Sequence, residues 1–215
     1  MRTTGGTLAI AILAVAASPS VAGAATITFD HSVAAAPGDP FSNLQDHGSL
    51  YSEAGFSFAN NGGIQALFSW ANGSAFDADT SATSATLAID YPQTTTTLTR
   101  NGGGAFNLDR IDIADVYNNG SFSGIMNYAY TLVGGGGGTG SFSVDALVGL
   151  QTADLGLSGL LSFSFTATED LRWVQIDNVE VSAVPIPAAL PLFAASLLAL
   201  GAWARGRAGG ARRGV

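Results

Sequence analysis

The chain contains no cysteine and no lysine. Without cysteine there is no disulfide framework and no thiolate metal site. Without lysine, all positive charge comes from eight arginines, and Arg2, Arg205, Arg207, Arg212 and Arg213 sit at the two ends. Residues 25–183 carry only Arg100, Arg110 and Arg172 against all sixteen acidic residues, a net charge of −13. Phosphate backbones repel such a body, which argues against nucleic acid as a partner. Histidine is scarce too: His31 and His47 are the only side chains whose ordinary pKa lies near neutrality. No Gly-x-Ser-x-Gly elbow accompanies them. There is no long amphipathic helix pattern and no internal repeat, which disfavours solenoids and propellers.

What is present is best defined at the ends. The 215 residues suit one ordinary domain plus terminal segments. Residues 1–24 read as a secretory signal peptide: Arg2 supplies the positive start, Leu8 to Ala17 the apolar stretch, and Ala22-Gly23-Ala24 the small-x-small cleavage site. Cleavage is expected after Ala24, with Ala22 as the competing site. At the other end, Ala188 to Ala204 is uncharged. As a helix it would be about 25 Å long, at the short end of what crosses a bilayer. Arg205, Arg207, Arg212 and Arg213 follow and act as the stop-transfer charge, which keeps the C-terminus inside and the acidic body outside. Pro185 and Pro187 hold the chain extended just before the helix. Trp203 reads as an interface anchor.

The segment Val184-Pro185-Ile186-Pro187-Ala188, with the apolar helix and arginine-rich tail behind it, resembles the VPLPA variant of the PEP-CTERM sorting signal. Ile186 departs from the usual Leu, and glycines dilute the tail from Arg205 to Val215. The resemblance implies export by Sec-type machinery and anchoring in the membrane. It further implies processing by an exosortase, and a final place at the cell surface or in the extracellular matrix of a Gram-negative bacterium. The domain plan is then a signal peptide at 1–24, an ectodomain at 25–183 and a sorting signal at 184–215. Within the last, the motif is 184–188, the transmembrane helix 188–204 and the tail 205–215.

The body is rich in Gly, Ser, Thr, Ala and Asn, and short runs alternate apolar and polar residues at period two. Such runs are "ATITFD" from Ala25, "GFSFA" from Gly55, "ATLAIDY" from Ala85, "TTTTLT" from Thr94, "YAYTLV" from Tyr128, "GSFSVDAL" from Gly140, "LLSFSFTA" from Leu160 and "RWVQIDNVEVSA" from Arg172. "LDRIDI" switches parity between Leu108 and Ile111, which predicts a bulge near Asp109 and Arg110. About nine short strands with Gly and Asn between them predict an all-β fold, an antiparallel, jelly-roll-like β-sandwich. Gly134 to Gly138 lacks the Lys and Ser/Thr of a phosphate loop and precedes a strand, so it reads as a hairpin tip.

"WVQIDNVEV", Trp173 to Val181, is similar to the last strand of jelly-roll carbohydrate-binding modules. That resemblance implies a structural Ca²⁺ held by Asp177 and, from the first strand, Asp30 or its neighbourhood. Against it stands the reading that Asp177 caps a turn or bonds a backbone amide.

Other carboxylates offer weaker chemistry. Asp77 and Asp79 flank one residue in an Asx-rich loop, and Asp109, Asp112 and Asp115 are spaced by three. A glycosidase needs two carboxyls facing a cleft, which chain spacing does not establish. Glycan contact needs aromatic rings against the apolar face of a sugar. Tyr117, Trp70, Tyr51 and Tyr91 are the candidates, Tyr117 being the most loop-like and Trp70 also suiting the core.

Three functions remain in play. The first is a non-enzymatic surface or exopolysaccharide-matrix protein whose sandwich binds glycan. The second is a secreted polysaccharide-active enzyme on the same scaffold. The third is an adhesive or ice-type surface built on Thr94 to Thr97. A carboxylate pair in a cleft would single out the second, and a flat exposed threonine array the third.

Overall fold

The computed structural model describes residues 23–30, 44–71, 85–90, 93–115, 122–171 and 174–184, together with 193, 196–198 and 200. The chain divides into two units, one spanning Ala22–Val184 and the other Met1–Val21 with Pro185–Val215. In the second unit the described residues are helical, and Phe193, Leu197, Leu198 and Leu200 are exposed. Among the described residues, no helix is long and apolar enough to cross a membrane. The segment through Ala22, the motif residues Pro185 to Ala188 and the tail from Arg205 to Arg213 lie outside the described residues.

The described residues of the unit Ala22–Val184 hold twelve strands, all antiparallel: β1 (Ala24–Ile27), β2 (Leu44–Gly48), β3 (Leu50–Glu53), β4 (Phe56–Asn60), β5 (Leu67–Ala71), β6 (Ala85–Ile89), β7 (Thr95–Arg100), β8 (Phe106–Asp115), β9 (Gly124–Leu132), β10 (Gly137–Val144), β11 (Gln151–Ala167) and β12 (Val174–Ala183). They form an antiparallel β-sandwich. One layer runs β2-β5-β6-β12-β8 and ends on the first half of β11, with β1 added to β12. The other runs β3-β4-β7, then the second half of β11, then β9 and β10. We refer to these as sheet one and sheet two.

β11 belongs to both layers. At 17 residues it is about 55 Å long, well beyond an ordinary strand. Gln151 to Leu160 pair with β8, and Leu160 to Ala167 pair with β9, with β7 on the opposite side from Phe163 onward. The bend between the halves comes from bulges, each an extra residue that increases local twist. Register shifts flank Leu157 in β11, where Gly156 and Gly159 have φ of 57° and 71°. Across from them, β8 turns both Asp109 and Arg110 outward between buried Leu108 and Ile111, as the parity switch in "LDRIDI" predicts.

The period-two runs bury the residues that the alternation assigns to one face. Ile27 and Phe29, Phe56 and Phe58, Leu87 and Ile89, and Phe163 and Phe165 are all buried in one core. Phe56 of sheet two meets Phe106 of sheet one edge-on at 5.5 Å, joining the layers. Each such ring withdrawn from water contributes roughly 1.5–3 kcal/mol. All the buried apolar residues among those described lie between Ile27 and Val181, so the unit carries its own core. An interior void of about 10 Å³, lined by Ile89, Thr94, Thr96, Met126, Phe165, Ala167 and Val174, has room for no more than one water.

Several boundaries differ from the sequence expectation. β2, β3 and β5 have no counterpart among the predicted runs, β10 begins at Gly137 rather than Gly140, and β11 begins nine residues before the predicted Leu160. The glycine run is split: Gly134, Gly135 and Gly136 turn at φ of 89°, 95° and 84°, which suits glycine alone, whereas Gly137 and Gly138 belong to β10.

Candidate functional site: an uncharged hydroxyl face

Alternation in sheet two sends apolar residues inward and small polar ones outward. In β7, Thr96 and Leu98 are fully buried while Thr95, Thr97 and Thr99 face out. In β11, Phe163 and Phe165 point in, and Ser162, Ser164 and Thr166 point out. In β9, Met126 is buried, and Asn127, Ala129 and Thr131 are exposed. In β10, Val144 is buried, and Thr139, Ser141 and Ser143 are exposed.

The registers bring these outward residues into rows across four strands. One row is Thr97, Ser164, Ala129 and Thr139, and the next is Thr95, Thr166, Asn127 and Ser141. Thr97 Oγ1 lies 2.9 Å from Ser164 Oγ, Thr95 Oγ1 2.9 Å from Thr166 Oγ1, and Thr131 Oγ1 2.7 Å from Ser162 Oγ. Neighbouring strands are about 4.8 Å apart and successive rows about 6.7 Å, so the hydroxyls form a grid. A shallow depression of about 580 Å³ opens on the two rows. It is lined by Thr95, Asn127, Ala129, Thr139, Ser141, Ser164 and Thr166, with Tyr128 and Gly140. No lining residue carries a charge. Each hydroxyl pair uses one donor internally and keeps one donor and several acceptor lone pairs for a ligand.

The threonine run contributes only half of what the sequence suggests. Thr94 and Thr96 line the interior void and accept hydrogen bonds from Asn60 Nδ2 at 3.0 and 2.9 Å. The outer array gains instead from β9, β10 and β11, whose alternating "SFSFT", "TGSFS" and "NYAYT" are the signal that marks them.

Of the predicted aromatic contacts, the two that are described, Trp70 and Tyr51, do not lie on this face. Trp70 is half-buried on β5 of sheet one, with its indole nitrogen buried. Tyr51 is buried against Phe29 at 5.3 Å, and its hydroxyl donates to Glu53 Oε2 at 2.6 Å. Tyr117 and Tyr91 lie outside the described residues, as do His31, Asp77 and Asp79.

The first and last strands do pair, Ile27 opposite Val179, which brings Asp30 and Asp177 toward the same end of β1 and β12. Asp30 Oδ1 accepts the Ala85 amide at 2.9 Å. Asp177 is fully buried, and its Oδ1 accepts the Asn178 amide at 2.7 Å. Asn178 stands at φ 46° inside a bulge of β12, and its Nδ2 donates to Asp112 Oδ2 at 3.0 Å. Ca²⁺ needs six to eight oxygens. Among the described residues no three acidic or imidazole side chains gather in one place. At Asp177 the described residues show the bond to a backbone amide that the alternative reading expects.

Two further arrangements look catalytic on paper. His47 Nε2 is 2.6 Å from Ser69 Oγ, and its ring packs edge-on to Tyr51 at 4.7 Å. Burial lowers the His47 pKa, and the neighbouring Asp46 carboxylate partly opposes this. Ser69 has no exposed surface, so a substrate has no access to its oxygen. Asp112 and Asp177 are direct cross-strand partners, yet Asp177 is fully buried too. Neither pair presents the accessible acid and base that hydrolysis needs.

No protein-family model matches the chain. No curated protein sequence matches it either. Several solved structures are similar at low identity. A family-61 carbohydrate-binding module in complex with β-1,4-galactotriose shares 8% identity over 61% of this chain and 90% of its own, with a TM-score of 0.40. A family-29 carbohydrate-binding module shares 13% over 75% and 89%, with a TM-score of 0.34. A Stig cyclase from Fischerella sp. TAU shares 12% over 76% and 99%, with a TM-score of 0.42. Likenesses this loose, to binding modules and to an enzyme alike, assign neither a ligand nor an activity to this chain.

Proposed function

We propose that the protein is an exported, non-catalytic surface or matrix protein whose sandwich binds neutral glycan across the outer face of sheet two. The observation that carries this reading is the depression on the two hydroxyl rows, lined by five serine and threonine residues and Asn127 beside Tyr128, Ala129 and Gly140, and free of charged residues. Sugar hydroxyls are donors and acceptors of the same kind. An anionic polymer would find no cation here, and the body as a whole would repel it. The signal peptide and the VPLPA-like segment supply the route: export, tethering and release or transfer by an exosortase. The experiment is a glycan array probed with the secreted body, followed by Thr95→Val/Ser164→Ala. Binding to neutral oligosaccharides that drops about tenfold or more in this variant, with the melting temperature kept, supports the proposal. Undiminished binding removes the hydroxyl face from it.

The regular grid of rows also favours a second reading, adhesion to an ordered solid such as ice or a crystalline polymer. Sheets twist by roughly 20–25° per strand, which breaks planar registry over four strands and favours a pliable chain. Activity toward ice with no binding to soluble oligosaccharides would reverse that preference.

A further inference from the structure

The strand that ends sheet two is built unlike the other edges. β10 pairs with β9 alone among the described strands, over eight consecutive residues with no register shift. The Leu132 amide donates to Gly136 O, which fixes the ladder: the main-chain groups of Tyr130 and Gly138, and of Tyr128 and Gly140, bond one another. Those of Gly137, Thr139, Ser141 and Ser143 therefore face away from β9. Two contacts agree with this phase. Gln151 Nε2 donates to Ser143 O from outside, and on the far side of β9 the Val133 amide donates to Gly159 O.

Natural edges are blunted by charge, proline, bulges or shortness. β2 has a bulge and Asp46, β3 is four residues long and carries Glu53, and the free side of β11 is bulged twice and carries Asp154. β10 has none of these. It lies in an uncharged stretch from residue 116 to 144, inside a body with sixteen carboxylates. Among the described residues of the unit, four of the seven exposed large apolar side chains, Ile125, Val133, Leu147 and Val148, lie on this hairpin or just past it.

We infer that β10 is a pairing edge for a second copy of this chain. The strand fits itself. Antiparallel pairing centred on Gly140 sets Thr139 opposite Ser141 of the second copy and Phe142 opposite Gly138. Its uncharged sequence lets two acidic bodies approach without like charges facing. The Val133 end of one hairpin then meets the Leu147 and Val148 end of the other. Gln151, bound to Ser143 O and also accepting the Asp145 amide at 2.6 Å, closes the far end of the edge and fixes where pairing stops. Edge-to-edge pairing of this kind uses the edge of both copies and closes at a dimer. The hydroxyl rows of sheet two then continue from one copy into the next. The inference stands whether or not those rows bind glycan.

Sedimentation of residues 22–184 over a concentration series tests it. One short edge buries less than a standard interface of about 1,200 Å², so the average mass is expected to climb toward twice the monomer as concentration rises. Ser141→Pro removes an amide that faces away from β9 and leaves the hairpin ladder intact. It should lower the association constant about tenfold or more with no change in melting temperature. Thr139→Lys should weaken pairing, and Thr139→Lys/Ser141→Asp should restore it, because each lysine then faces an aspartate. A wild-type mass that stays monomeric throughout overturns the inference, as does dimerisation of Ser141→Pro at wild-type strength.

Discussion

At the scale of the residue, the most exposed consequence of burial is at His47. Its pKa is lowered from 6.5 because the ring sits between Ser69 and Tyr51, out of reach of full hydration. The unfolded chain therefore takes up the proton first as the pH falls. The contribution of the neutral ring is fully present above 6.5 and is lost below it, toward the lower folded value. Thermal melts of the body are expected to decline on acidification below that point, and more shallowly in His47→Gln. Equal slopes in the two proteins would show that other groups control the acid limb. Asp90 acts in the opposite sense, since burial raises its pKa and its charge costs stability near neutrality. Some single residues were legible beforehand. Asp177 bonds its neighbour's amide, one of the two readings the sequence offers for it. Which threonines of the run face outward was not legible, because four in a row fit either phase of the strand.

At the scale of the element, the β9–β10 hairpin shows how glycine and tyrosine were chosen together. A Cβ on Gly140 would lie 2.3 Å from the Tyr128 ring, and one on Gly138 would lie 2.5 Å from the Tyr130 hydroxyl. The rings lie across the bare backbone of the opposite strand, with Tyr128 packing on Phe142 at 6.0 Å and Phe163 at 5.4 Å. Gly140→Val is expected to displace Tyr128 and destabilise the body by about 1–3 kcal/mol, read by chemical denaturation. An unchanged midpoint would mean the ring swings aside without loss. Strand pattern made β4, β6, β9 and the second half of β11 legible. β2 was not, because "LQDHG" offers one apolar residue. β5 was not, because "LFSWA" is apolar on both faces. The first half of β11 was hidden where glycines at its bulges interrupt the alternation. The same blindness applied to the hydroxyl face. Its rows exist only once four strands are in register, and no single stretch of sequence contains a row.

At the scale of the whole molecule, the proposal joins a binding body to a sorting terminus, and the joint is open to test. Replacing Pro185 and Pro187 with Ala is expected to leave the full-length chain in the membrane fraction, read by fractionation and mass spectrometry. Normal release from that variant would remove the exosortase step. The topology itself was legible only as a class, since alternation names strands but not neighbours. That β11 would serve two layers follows from its length and bulges, which appear once its partners are known. One arrangement at the ends has a mechanical corollary. Ala24 lies opposite Ser182, so the chain enters and leaves the sandwich side by side. Joining Val184 to Gly23 by a short linker and opening the chain at Gly135 should yield a circular permutant that keeps every strand pairing.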